Sequence, residues 1–160
     1  MKPGQTHKSY TVKEATIKLM QFCAYRDRSH KEVEEKLREM NMIPAAQEQI
    51  IMQLMQEDFL NEERFARSFV RGKFRIKKWG RNKIKQELKF REISSPIVKL
   101  ALTEIEEDAY LQSLEDLAIK KEKTLNESNP FKKKKKLADF LLLKGYEANL
   151  IYEKVNSLIK

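Results

Sequence analysis

Five basic residues, Arg64, Arg67, Arg71, Arg75 and Lys78, recur at steps of three and four, the spacing that gathers side chains on one face of an α-helix. At about 100° per residue they fall within an arc of roughly 80°. Phe65, Ala66, Phe69 and Val70 lie opposite, as a core-facing stripe requires. A solvated helix face ordinarily mixes Glu with Lys at i,i+4, which stabilises it. This face has no acid after Glu63, so its like charges repel. The chemistry such a face can do is recognition of an anionic surface, and Arg suits it because its planar fork bonds phosphate or carboxylate bidentately. Lys77 adds charge at the turn. Arg81, Lys85 and Lys89 continue it on the next helix, with Ile84 and Leu88 turned to the core. Trp79, the only tryptophan, stands before Gly80 in the turn between the two basic helices. Its ring can stack on a base, anchor a protein contact, or simply plug the helix junction.

The net charge of +9 over 160 residues is concentrated around these residues. Residues 1–63 carry 9 Lys or Arg against 11 Asp or Glu, residues 64–91 carry 12 against one, and residues 92–160 carry 12 of each. A surplus confined to mid-chain points to nucleic acid or an acidic protein surface as partner. The run Lys132–Lys136 encircles its helix, so it reads as a solvated electrostatic patch rather than one contact. Catalysis has little support. His7 and His30 form no metal pair, Cys23 is alone and matches a core position, and Glu104, Glu106, Glu107 and Asp108 spread around a helix end. There is no P-loop, no G-x-G-x-x-G and no G-x-S-x-G, so no enzyme, cofactor or metal is expected. The lone cysteine and the lack of any apolar run near the roughly 18–20 residues of a membrane span predict a cytoplasmic, soluble protein, expected to be a monomer.

The elements that must position these residues are helices. Charged residues make up 36%, with only four Gly and four Pro, a profile that favours an all-α chain. Capping boxes at Thr11/Glu14 and Ser29/Glu32, a cap at Asn61, the Ser95-Pro96 and Asn129-Pro130 pairs and Gly145 divide the chain. They predict helices near 10–27, 30–41, 45–57, 61–78, 81–91, 96–108, 110–126, 131–144 and 147–159. An offset of 51 residues pairs Leu19 with Val70, Val33 with Ile84, Leu37 with Leu88 and Leu54 with Ile105; an offset of 53 carries Ile84 to Leu137, Leu88 to Leu141 and Ile93 to Tyr146. The pattern predicts three tandem three-helix repeats, 10–58, 59–109 and 110–160, after a flexible tail over 1–9. Each repeat is too small to bury its apolar faces alone, so they should stack into an elongated, curved array.

Residues 59–94, FLNEERFARSFVRGKFRIKKWGRNKIKQELKFREIS, resemble the signature segment of the RecX family of bacterial recombinase regulators. The matching positions are Phe59, Leu60, Asn61, Glu62, Phe65, Ala66, Trp79, Gly80, Ile84, Leu88 and Ile93; the resemblance continues more weakly over 15–160 through the repeat. Two positions depart: Arg81 stands where relatives commonly have Pro, and the Lys132–Lys136 run is unusually lysine-rich. The resemblance implies a regulator that binds the RecA recombinase filament on single-stranded DNA and inhibits its ATP hydrolysis, strand exchange and coprotease activities. Arg64, Arg67, Arg71, Arg75, Lys77, Lys78, Trp79, Arg81, Lys85 and Lys89 would then make the contact to filament or DNA, single-stranded or also duplex. The rival reading is a stand-alone nucleic-acid-binding protein of tandem helix-turn-helix-like units.

Overall fold

The computed structural model describes residues 9–160, which form nine α-helices and no strand. They are α1 (Val12–Tyr25), α2 (His30–Glu39), α3 (Pro44–Gln56), α4 (Glu62–Arg75), α5 (Arg81–Phe90), α6 (Ser95–Leu102), α7 (Glu107–Thr124), α8 (Pro130–Lys144) and α9 (Ala148–Leu158). The tail expected over 1–9, with His7, lies apart from Ser9 outside the described residues. By packing density the chain divides into two compact units, 1–65 and 66–160.

Local chemistry sets the helix ends. Both capping boxes form: Thr11 Oγ1 accepts from Glu14 N, Ser29 Oγ from Glu32 N, and each glutamate reaches back to its cap. Asn61 Oδ1 accepts from Arg64 N at 2.9 Å, and Asn129 Oδ1 caps α8 ahead of Pro130. The cap of α6 is Ser94, one residue before the expected Ser95. Two helices stop three or more residues short of their expected ends. The first is α4, which stops at Arg75, so Lys78 is not on its face; Lys78 takes a left-handed φ of 59° in the turn. The other is α6, which stops at Leu102, leaving Glu104 in a turn before α7 begins at Glu107.

The repeat is visible in the backbone. Asn41, Glu92 and Gly145 are all left-handed, with φ of 59°, 62° and 98°, and are separated by the same offsets of 51 and 53. Each is followed by a Schellman-type bond: Met42 N donates to Leu37 O, Ile93 N to Leu88 O, and Tyr146 N to Leu141 O. Three helix pairs therefore turn by one mechanism, while only the third uses glycine for it.

In the first unit Leu19, Val33, Leu37, Ile50 and Leu54 are wholly buried, with Cys23 and Leu60 beside them. In the second, Ile84, Leu88, Leu137, Leu141 and Ile151 are wholly buried, and Phe74, Tyr110 and Tyr146 stack in series, with centroids 5.9 and 5.0 Å apart. Gly80 and Gly145 meet at this core. Gly80 N donates to Lys144 O at 2.7 Å and Asn82 N to Gly145 O at 2.9 Å. A Cβ on Gly80 would lie 2.3 Å from Gly145 C, and one on Gly145 would lie 2.3 Å from Lys83 Cβ. Close backbone approach, more than conformational freedom, explains Gly80, whose φ is an ordinary −79°.

Candidate functional site

The basic face of α4 is only partly free. In the first unit Arg64 Nε donates to Asp27 Oδ1 at 2.7 Å, and Arg64 Nη1 lies 3.1 Å from Asp58 Oδ2. The Asp27 hydrogen bond raises the Arg64 pKa further above its ordinary value. In the second unit Arg67 and Arg71 converge on Glu104 Oε1, at 3.3 and 3.0 Å. The expected face of uncompensated, mutually repelling cations is therefore corrected. The early end of α6 lets Glu104 fold back against α4, a pairing that helical periodicity places out of reach. These half-exposed pairs stabilise weakly, by about 0–1 kcal/mol each. Arg75, at the end of the helix, is exposed and has no carboxylate within ion-pair distance among the described residues.

The turn carries the next charges. Lys77 and Lys78 are exposed and, among the described residues, unpaired with any acid. Trp79 is half-buried. Its ring meets Phe69 edge-on at 6.4 Å, while Lys73 Nζ and Lys83 Nζ sit 4.9 and 4.5 Å from its centroid. The Arg91 guanidinium lies 4.7 Å from the Phe69 ring. Trp79 thus both packs at the junction of α4 and α5 and holds two ammonium groups beside it. Sequence reasoning missed Lys73, Lys83 and Arg91. Lys73 carried a faint signal, four residues after Phe69; Arg91 reaches that ring across two helices and carried none.

Arg81 has a structural task. Its guanidinium reaches Glu147 at 2.9 Å and Glu107 at 2.5 Å, and covers the Tyr110 ring 3.8 Å from its centroid. Its backbone N–H donates to Tyr110 Oη at 2.9 Å, and the Tyr110 hydroxyl donates to Glu147. Burial, then that bond to Glu147, pushes the Tyr110 phenol far above its usual range. Tyr146 Oη donates to Lys78 O at 3.1 Å. The start of α5 is thereby fastened to α7 and α9, and the residue that adds positive charge to the sequence has its charge neutralised within the fold.

Farther along α5, Lys85 and Lys89 are exposed. With Lys99 they rim a cleft of about 470 Å³ over Ile93, Val98 and Leu102. No acid lines it. In the Lys132–Lys136 run, Lys133 pairs with Glu122, Lys135 with Asp139 and Lys136 with Glu127. Of the basic residues that the sequence singles out between Arg64 and Lys89, Arg75, Lys77, Lys78, Lys85 and Lys89 have no ion pair among the described residues, while Lys73 and Lys83 are held on Trp79. Among the described residues no cluster of His, Cys, Asp or Glu could hold a metal ion. His30 pairs with Glu62 at 2.9 Å, and Cys23 is buried, which raises its thiol pKa. Among the described residues no helix is long and apolar enough to cross a membrane.

Residues 61–102 match the second three-helix domain of RecX, and residues 107–155 match its third three-helix domain. Among curated proteins, the regulatory protein RecX of Bacillus cytotoxicus is 25% identical over 140 residues, covering 88% of this chain and 52% of that protein. The regulatory protein RecX of Listeria monocytogenes serovar 1/2a is 27% identical over 139 residues, covering 87% and 52%. The chain spans about half the length of the curated relatives it matches. Among solved structures, the crystal structure of RecX from Lactobacillus salivarius superposes with a TM-score of 0.83 at 25% identity, covering 92% of this chain and 96% of that one. A second crystal structure, of a regulatory protein RecX, also gives 0.83, at 20% identity and 91% and 73% coverage.

Proposed function

The chain belongs to the RecX family, and on that premise we propose that it binds the RecA recombinase filament on single-stranded DNA in the cytoplasm and inhibits it. Inhibition would act by binding alone, lowering ATP hydrolysis, strand exchange and coprotease activity and so restraining DNA repair and recombination. The observation that supports this most is the set of uncompensated cations in the second repeat, 59–109. Arg75, Lys77 and Lys78 leave the end of α4, and Lys85 and Lys89 follow on α5. The relatives are regulatory proteins by name, and a charged surface without a nucleophile, metal cluster or acid–base pair suits regulation by contact.

In mechanism, the exposed cations replace counterions on phosphate or meet filament carboxylates. The Trp79 junction fixes where Lys73 and Lys83 present their ammonium groups. Arg81, Glu147, Tyr110 and the Gly80–Gly145 contact hold the turn still, so that little ordering entropy is lost on binding. The test adds the protein to RecA filaments on single-stranded DNA at fixed salt and follows ATP hydrolysis and strand exchange. Both should fall at micromolar protein. Unchanged activity alongside tight binding to naked DNA would replace this reading with a stand-alone nucleic-acid-binding protein.

A further inference from the structure

The first unit carries a second surface with different chemistry. Between α1 and α2 lies an open cleft of about 440 Å³, walled by Tyr10, Phe22 and Tyr25 and edged by Lys18, Arg28 and Lys36. Tyr10 and Phe22 also pack against the first core, so part of their apolar surface serves folding. Tyr25 does not: as the last residue of α1 it is 85% exposed. A tyrosine so open at a helix end contributes little to stability, and its ring faces solvent beside three cations.

Arg28 is held in place for this surface. Its guanidinium lies 3.7 Å from the Phe22 centroid and 5.9 Å from that of Tyr25. Its Nε donates to Phe22 O at 2.9 Å, and Glu32 holds Nη1 at 3.5 Å. Lys18 Nζ lies 5.9 Å from the Tyr10 ring and Lys36 Nζ 5.9 Å from the Phe22 ring. No carboxylate lines the cleft; Glu32 is engaged with Arg26 and Arg28, and Glu39 lies 3.7 Å from Lys36. The repeat gives independent support. At the offset of 51, Phe22 and Arg28 correspond to Lys73 and Trp79, so the same α-helix junction holds a cation–aromatic pair with the partners exchanged. In the second unit two lysines stand 4.9 and 4.5 Å from the Trp79 ring, whereas in the first the Tyr25 ring has Arg28 at 5.9 Å and stays largely open to solvent.

We infer that the α1–α2 cleft is a stacking site for an unpaired base of single-stranded DNA, with Tyr25 as the platform and Lys18 and Lys36 as contacts to the adjoining phosphates. The rings take bases of any identity, the cations take the backbone, and paired bases inside a duplex cannot reach a ring so placed. An acidic peptide would use the cations and leave the exposed Tyr25 ring without a task. The inference rests on the proposed function for the presence of single-stranded DNA, but it concerns a separate surface.

The test uses the full chain and measures binding of a fluorescein-labelled oligodeoxythymidylate by anisotropy, beside an abasic sugar–phosphate oligomer of the same length. Tyr25→Ala should weaken thymidylate binding about tenfold. Tyr25→Phe should retain it, and Tyr25→Ala should leave the abasic oligomer unaffected. Equal losses on both oligomers, or no loss on either, overturn the stacking site. So does a loss of binding to RecA without DNA while thymidylate affinity stands, which assigns the cleft to a protein partner. Filament inhibition by the wild-type chain is read in parallel. If it is absent while the Tyr25 dependence persists, the proposed function falls and the stacking site stands; inhibition with Tyr25-independent DNA binding gives the reverse.

Discussion

Gly80→Ala tests the packing that holds the candidate surface. At a helix N-cap with φ of −79°, alanine meets no backbone strain. Its side chain would also restrict the unfolded chain, a gain of roughly 0.4–1 kcal/mol, which offsets the weak capping of alanine. Judged on the turn alone, the change should be close to neutral. The structure says otherwise, because the new Cβ would lie 2.3 Å from Gly145 C, 2.4 Å from Gly145 O and 2.4 Å from Tyr146 N. These are backbone atoms, which cannot swing aside as the end of a lysine could. Relief requires the start of α5 to back away from the end of α8, breaking the Gly80–Lys144 and Asn82–Gly145 hydrogen bonds. Two backbone bonds at about 1 kcal/mol each, with loosened packing at the buried Tyr110 and Tyr146, give a loss of about 2–4 kcal/mol. The assay is urea unfolding followed by Trp79 fluorescence, which reports this unit alone, with far-UV circular dichroism for the whole chain. A change within about 0.5 kcal/mol, the range of an unremarkable surface substitution, would refute the close-approach argument.

Three further outcomes follow from the same geometry. Glu104→Gln should leave stability within about 1 kcal/mol, because the pairs to Arg67 and Arg71 are half-exposed. It should also strengthen binding to single-stranded DNA at low salt by releasing Arg71 from its carboxylate, and weaker binding in anisotropy would contradict that arrangement. Replacing Lys85 and Lys89 together by Gln should flatten the dependence of log affinity on log salt by about 1.4, roughly 0.7 for each phosphate no longer neutralised; an unchanged slope would remove the α5 cleft from the DNA-binding surface. The Cys23 thiol, buried and with its pKa raised, should resist a thiol reagent in the native chain and react once the first unit unfolds in urea. Fast labelling without denaturant would show that core to be open.

Much of this fold was legible because its signals are local. Thr11 with Glu14, Ser29 with Glu32 and Asn129 before Pro130 each act within three residues, and each caps the helix it predicts. The repeat was legible through apolar offsets, and Asn41, Glu92 and Gly145 show it again in φ. What escaped is long-range. Nothing near Lys78 breaks a helix before Gly80, so the end of α4 at Arg75 depends on the turn's docking, where Tyr146 Oη holds Lys78 O. Glu104 lies 33 and 37 residues from the arginines it neutralises, and Arg81 is matched by acids on α7 and at the start of α9. Charge counted along a chain marks where a basic surface lies, but not which of its cations the fold has already used.

The central claim is that cations left unpaired by the fold restrain the recombinase filament. It is tested most directly by reversing Arg75 and Lys78 together, as Arg75→Glu and Lys78→Glu, and measuring inhibition of DNA-dependent ATP hydrolysis by RecA filaments at fixed salt. Both side chains are solvent-exposed, so helix content and the urea midpoint should match the wild type. The account predicts that inhibition falls at least tenfold in potency, the loss of roughly 1.4 kcal/mol or more of binding energy. Full inhibition by the folded double variant would contradict it.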